Sequence, residues 1–173
     1  EHPLLNSIVL PENIDTVKSY VESAKVKTEI ERMSVDRTKT GVFTGAYAVN
    51  PINKAEIPIW VADYVVSSYG TGAIMAVPSG DERDFEFAKA FNLPIIEVVS
   101  IDGKLHGNDE CFSNYGISVN SGEYSGKSTE NVQQLINAKL DEMGCGGAKI
   151  QYKLHDWLIS RQRYWGTPIP IIH

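Results

Sequence analysis

Asp81, Glu82, Arg83 and Asp84 follow the turn Pro78-Ser79-Gly80, where a small apolar run, Ala73-Ile-Met-Ala-Val77, ends. Their spacing marks the start of a helix. Asp81 is a natural N-cap, Glu82 and Asp84 fall in the first turn, and Phe87 and Phe91 share a face. Two kinds of chemistry suit these carboxylates. Asp81 and Asp84 can form a capping pair, with Asp84 at N3 as a short capping-box partner. For Asp81 that structural role is the preferred reading. Asp84 is open to a second one. A carboxylate kept ionised by the helix dipole, at the lip of a strand–helix turn, is an anchor for an ammonium group. It is a poor group for taking up a proton in catalysis. Upstream, Tyr69-Gly70-Thr71-Gly72 can let the backbone pass close to a ligand, because glycine removes the Cβ obstacle; an ordinary turn explains the same four residues equally well.

Other motifs carry less. His2, His106, His155 and His173 are scattered, with no H-E-x-x-H and no C-x-x-C, so no metal site is expected. Nothing supports a Cys–His nucleophilic pair. Gly122-Glu-Tyr-Ser-Gly-Lys-Ser128 imitates the end of a phosphate loop, but that motif needs four residues between the first Gly and Gly-Lys-Ser. It reads instead as a loop with a helix cap at Ser128.

The elements that must position these residues follow from periodicity. A helix is expected from Asn13, capped by that residue, with Val17, Tyr20, Val21, Ala24 and Thr28 at helical spacing and the pattern fading near Ser34. From Phe43 two strands flank a turn at Asn50-Pro51-Ile52-Asn53. Pro58 cannot donate to a ladder, so its strand is an edge or carries a bulge. Residues 73–77 read as a short strand, followed by the helix from Asp81, which Asn92 and Pro94 stop. Pro94–Val99 is a buried-strand candidate, and residues 101–127 are loops with one or two short strands. A helix over Thr129–Met143 presents Val132, Leu135, Ile136, Leu140 and Met143, with Gly144 at its end. Residues 148–154 read as a final strand, and the style changes over Asp156–His173. The sum is an α+β chain around a compact barrel or bent sheet.

With 173 residues, 42% of them hydrophobic and 22% charged, the chain is long enough for one domain with a core and reads as globular. No apolar run approaches the roughly 18–20 residues of a membrane helix, so no membrane partner is expected. No signal peptide is visible, and the start at Glu1 suggests an excised piece. Two cysteines without a spacing pattern, Cys111 and Cys145, suggest a reducing compartment. A net charge of −6 argues against coating a nucleic-acid backbone, though not against gripping a strand end. Arg32, Arg37 and Lys39, and separately Lys149, Lys153, Arg161 and Arg163, read as solvated surface.

Residues 69–88, YGTGAIMAVPSGDERDFEFA, resemble the signature of the editing domain of leucyl-tRNA synthetase, bacterial or organellar type. Residues 156–170, DWLISRQRYWGTPIP, resemble the place where that inserted domain returns to the class I catalytic core. KTGVFTGAYAVNP and EIPIWVADYV also fit, in order. The isoleucyl and valyl relatives typically follow GTG with a histidine-containing strand and an APGHG turn; Met75-Ala-Val-Pro78 followed by Asp-x-x-Asp is the leucyl style.

The resemblance implies a compact β-barrel-like editing domain with peripheral helices over residues 1–150. Residues 151–173 would be the return linker and the start of the resumed α/β catalytic core. It implies hydrolysis of mischarged tRNA(Leu), carrying isoleucine or norvaline, because selection by one methyl group's placement is worth only about 1–3 kcal/mol. Asp84 matches the aspartate that binds the α-amino group and is the residue assigned to catalysis. Tyr69, Gly70, Thr71, Gly72, Met75 and Val77 match the lining for the terminal adenosine and the amino-acid side chain, and Asp81 is grouped with them. The implied partners are the tRNA(Leu) 3′ end, the mischarged amino acid and the rest of the synthetase chain. Editing needs no cofactor. The parent synthetase uses ATP and magnesium, at sites expected outside this chain, and a cytoplasmic or organellar setting follows. The family usually has histidine where Gly80 stands, and places a threonine-rich stretch just upstream of a sequence like EHPL. The chain is therefore expected to be a piece of the enzyme, inactive alone. The alternative is a non-catalytic piece that is structural or binds the CCA end weakly.

Overall fold

A computed structural model of the chain describes residues 2–27, 38–65 and 71–150. Its organising element is a hairpin, β1 (Gly41–Val49) paired antiparallel with β2 (Glu56–Ala62). The turn forms where Asn and Pro predict it. Asn50 Oδ1 accepts from the Ile52 N–H at 2.9 Å and Asn53 Oδ1 from the Ala55 N–H at 3.0 Å. These side-chain turns favour local bonding over strand continuation. Register runs from Gly41 opposite Ala62 to Val49 opposite Glu56, with an irregularity between Phe43 and Tyr47. Pro58 lies opposite Tyr47 at its edge, as the missing N–H requires. Gly45, at φ +86, supplies the left-handed residue of this bulge. Thr44, fully buried, sends its hydroxyl 2.7 Å to the Ile59 carbonyl and accepts from the Ala46 N–H at 3.2 Å, answering polar groups within the irregular stretch.

Before the hairpin come a short helix, α1 (Leu5–Ile8), a 3₁₀ turn at Pro11–Asn13, and α2 (Ile14–Lys25). Asn13 stands at the N-cap of α2, but its side chain makes no cap bond. The 3₁₀ turn delivers the chain already curled, and the Asn13 amide sits against Gly45, 2.7 Å from where a Cβ would be. Val17 is buried, and the Tyr20 hydroxyl donates to the Thr40 carbonyl at 2.8 Å and accepts from the Asp63 N–H at 3.0 Å. Together these contacts fasten α2 to the ends of both strands. The expected continuation of α2 from Thr28 to Ser34 lies outside the described residues.

α3 (Glu82–Ala90) packs its Phe87 and Phe91 against the hairpin. Trp60 lies 5.7 Å from Phe87 and 4.8 Å from Phe91 between ring centroids, Phe43 lies 5.6 Å from Trp60, and Tyr64 lies 5.6 Å from Phe87. Such edge and tilted contacts add to the area buried. Lys39, only 7% exposed at its side chain, pairs with Glu86 of α3 at 3.1 Å, so it is not the solvated cation that its sequence context suggests.

Downstream, β3 (Val99–Ser100) pairs with β4 (Ile117–Ser118), and α4 (Thr129–Glu142) follows. Ser128 caps α4, accepting from the Asn131 N–H at 3.5 Å, and Gly144 beyond its end has φ +65. The apolar stripe of α4 contains no buried residue.

Several strand expectations are corrected. Ala73–Val77 is not a strand: the Val77 N–H goes to the Asp84 carboxylate, and the Val77 carbonyl accepts from the Gly80 and Asp81 N–H groups. Of Pro94–Val99 only Val99 is in a strand. Residues 148–150 are not in a strand, and 151–154 lie outside the described residues. The barrel is corrected too. The described residues mix helix and strand, but their strands make two separate two-stranded sheets, and no closed barrel forms among them.

Candidate functional site

The turn Pro78–Gly80 and the first residues of α3 hold the candidate carboxylates. Asp81 is extended and accepts through Oδ1 from the Arg83 N–H at 2.9 Å and the Asp84 N–H at 3.2 Å. It is therefore the N-cap of α3, satisfying donors that have no partner within the helix.

Asp84 is 6% exposed. Its Oδ2 accepts from the Val77 N–H at 2.8 Å, and its Oδ1 accepts from the Tyr64 hydroxyl at 2.8 Å. The carboxylate thus ties three segments together: the end of the 73–77 run, the segment after β2 that carries Tyr64, and α3. It sits deeper than the open lip that its position in sequence suggests. Each carboxylate oxygen has two acceptor directions, so these bonds leave two of about four in use. Burial, first, then the hydrogen bond to Asp84 and the charges of Asp84 and Asp81 raise the Tyr64 phenol well above its ordinary range, which keeps it a donor.

The run that ends at this carboxylate differs in character. Ile74 is 49%, Met75 61% and Val77 45% exposed, so its apolar side chains are open to solvent. Thr71 is exposed, its hydroxyl 3.3 Å from the Ala73 carbonyl, and Gly72 has φ +79. Tyr69 and Gly70 lie outside the described residues. The loop at Cys111-Phe112 lies against the turn, with the Phe112 N–H on the Ser79 carbonyl at 2.9 Å and the Cys111 thiol 3.6 Å from the same oxygen. Burial, and then Glu82, Asp81 and Asp84, push that thiol upward. Gly80 has room for a side chain: a Cβ there would meet the Val77 methyl at an ordinary 3.5 Å.

The geometry therefore joins Asp81, Asp84 and Val77 directly; nearby in sequence Thr71 and Met75 are exposed and Gly72 is half-buried. Two open cavities, of about 560 and 250 Å³, lie elsewhere, the first against Asp15, Ser19 and Tyr20 of α2, the second beside Glu97 and Asn120. No group of three or more His, Cys, Asp or Glu suited to a metal occurs among the described residues, nor does a helix long and apolar enough to cross a membrane. Tyr64 is the residue that sequence reasoning missed. Its signal was a tyrosine just beyond an apolar strand, whose hydroxyl needs a partner once its ring is buried.

Comparison with known proteins agrees with the sequence resemblance. Residues 1–141 match the model of the family described as leucyl-tRNA synthetase, editing domain. The whole chain is 52% identical to a leucine–tRNA ligase of Rhodopirellula baltica, 51% to one of Clostridium perfringens and 54% to one of Elusimicrobium minutum, covering 19%, 21% and 20% of those proteins. The chain thus spans about a fifth of the length of these curated relatives. The solved ternary complex of Agrobacterium radiobacter K84 agnB2 LeuRS-tRNA-LeuAMS superposes on 91% of the chain and 15% of its own, with a TM-score of 0.52 and 35% identity. With a family model matched over most of its length and full-length coverage by relatives at about half identity, the chain belongs to the leucyl-tRNA synthetase editing-domain family.

Proposed function

We propose that the chain is part of the post-transfer editing domain of a leucine–tRNA ligase, hydrolytic within the whole enzyme and inactive alone. It would remove isoleucine or norvaline wrongly esterified to tRNA(Leu). Water adds to the ester carbonyl, the bond to the terminal ribose oxygen breaks, and the free amino acid and the tRNA 3′ hydroxyl leave. The observation that carries this reading is Asp84, a buried carboxylate at a helix N-terminus with acceptor directions to spare, bonded to the Val77 N–H at the end of a run whose Ile74, Met75 and Val77 are exposed. A fixed negative charge fits the substrate's ammonium, and an apolar surface fits a branched or linear aliphatic side chain. Tyr69, Gly70, Thr71 and Gly72, with Met75 and Val77, would line the pocket for the terminal adenosine and the amino-acid side chain.

Partners in this reading are the 3′ end of tRNA(Leu), the mischarged amino acid and the remainder of the synthetase, in the cytoplasm or an organelle. Hydrolysis itself uses no cofactor, whereas leucylation by the whole enzyme uses ATP and magnesium. A charge-assisted hydrogen bond of the Asp84 kind is worth about 1.5–3 kcal/mol. Asp84→Ala in a full-length ligase carrying this segment is therefore expected to lose at least about tenfold in deacylation of isoleucyl-tRNA(Leu). Near-normal deacylation by that variant would sink the anchoring role.

A second reading, a non-catalytic piece that is structural or binds the CCA end weakly, is favoured by one observation: both Asp84 oxygens already accept bonds from within the chain. Deacylation by the 173-residue chain alone, beside the full-length ligase, separates the two. Turnover by the full-length protein alone is the outcome of the first reading and turnover by neither that of the second; turnover by both removes the second reading and the inactivity of the chain alone.

A further inference from the structure

Neither oxygen of Asp84 is left to find its own orientation. Val77 donates to one from the backbone, at 2.8 Å, and the Tyr64 hydroxyl donates to the other, also at 2.8 Å. The Val77 donor is close to Asp84 in sequence, just before the turn that leads into α3. Tyr64 is not: it comes from the segment after β2, and its ring is packed against Phe87 of α3 at 5.6 Å. Two donors on opposite oxygens fix the carboxylate's rotation, and the remaining acceptor directions then point in one set of directions and not a spread of them. A site that must recognise a small cation gains from such prior ordering, because no reorganisation remains to be done when the ligand arrives.

We propose that Tyr64 is a positioning residue for ammonium recognition by Asp84. It does not touch the substrate; it aims the carboxylate that does. The inference rests on the editing reading given above. Its upward-shifted phenol remains a neutral donor throughout the range in which aminoacyl esters are studied.

The test uses a full-length leucine–tRNA ligase carrying this segment and two esters of tRNA(Leu). One is the isoleucyl ester. The other is its 2-hydroxy analogue, in which a hydroxyl replaces the ammonium. Tyr64→Phe keeps the ring and deletes only the donor. The expected result is a loss of about fivefold or more in kcat/KM for the isoleucyl ester, with hydrolysis of the hydroxy ester unchanged. In an Asp84→Ala background the same substitution is expected to have no further effect on the isoleucyl ester.

An equal loss on both esters, or a further loss in the Asp84→Ala background, would show a general structural role and overturn the proposal. So would no loss on either ester. If the unsubstituted ligase hydrolyses neither ester, the editing reading itself fails and this inference falls with it; that outcome is recognisable before any variant is made.

Discussion

A carboxylate buried to 6% exposure needs answering donors, and Asp84 has one on each oxygen. Tyr64 supplies one of them, with a consequence for the alkaline limb of stability. Its phenol holds its proton more tightly in the folded chain than its ordinary value of 10.0, first through burial and then through Asp84 and Asp81. A group raised in this way contributes stability that is complete below the unfolded value and is lost as pH rises above it. Urea titrations at increasing pH should therefore show stability falling above about 10, more steeply in the unsubstituted chain than in Tyr64→Phe. Equal slopes would show that Tyr64 titrates no differently in the two states. At this scale the sequence was partly legible. The Asp81 cap followed from residue type and place, because capping is local. Asp84's partners did not, because Tyr64 is twenty residues away and only folding brings it near.

The elements carry two further expectations. Asp81 satisfies two of the first N–H groups of α3, and Asp81→Ala should cost about 0.5–2 kcal/mol of unfolding free energy. Asp81→Asn, which keeps the acceptor, should cost less. In the hairpin, Thr44 is fully buried and its hydroxyl answers the Ile59 carbonyl. Thr44→Val keeps the volume and leaves that carbonyl without its side-chain partner, for an expected loss of about 1–3 kcal/mol in chemical denaturation. A Thr44→Val chain as stable as the original would mean that water replaces the hydroxyl. The hairpin itself was readable from Asn50, Pro51 and the alternation of β2. Pro58 announced an irregularity, but which residue would fill it was not local information. The 73–77 run shows the limit. Its composition suits a strand, yet its last N–H is taken by an aspartate side chain, and β propensity yields to that tertiary partner.

For the molecule as a whole, the aromatic cluster is the junction between hairpin and helix. Phe87 is 6% exposed and meets Trp60, Tyr64 and Phe91. Phe87→Ala should cost about 3–5 kcal/mol, measured as a shift in the unfolding midpoint, and should disturb the Asp84 site as well, since Phe87 lies one turn along α3 from it. A destabilisation below about 1 kcal/mol would show that the cavity collapses or that α3 is held mainly by other contacts. By contrast the apolar stripe of α4, complete in the sequence, is at most half-buried among the described residues. Periodicity reveals that a helix has an apolar face; it does not reveal what meets that face.

The family, the helix starting at Asp81 and the hairpin turn were determined by the sequence alone. Each depends on residues close together in the chain or on a long ordered match, and none of the three requires knowing how distant segments meet. The tertiary structure decided the rest: two small sheets in place of a barrel, the Thr44 filling of the bulge, the burial of Lys39 on Glu86, and the grip of Tyr64 and Val77 on Asp84. Most of these are matters of which polar group finds which distant partner once water has been excluded, and a buried donor or acceptor is satisfied by whichever partner the packing delivers.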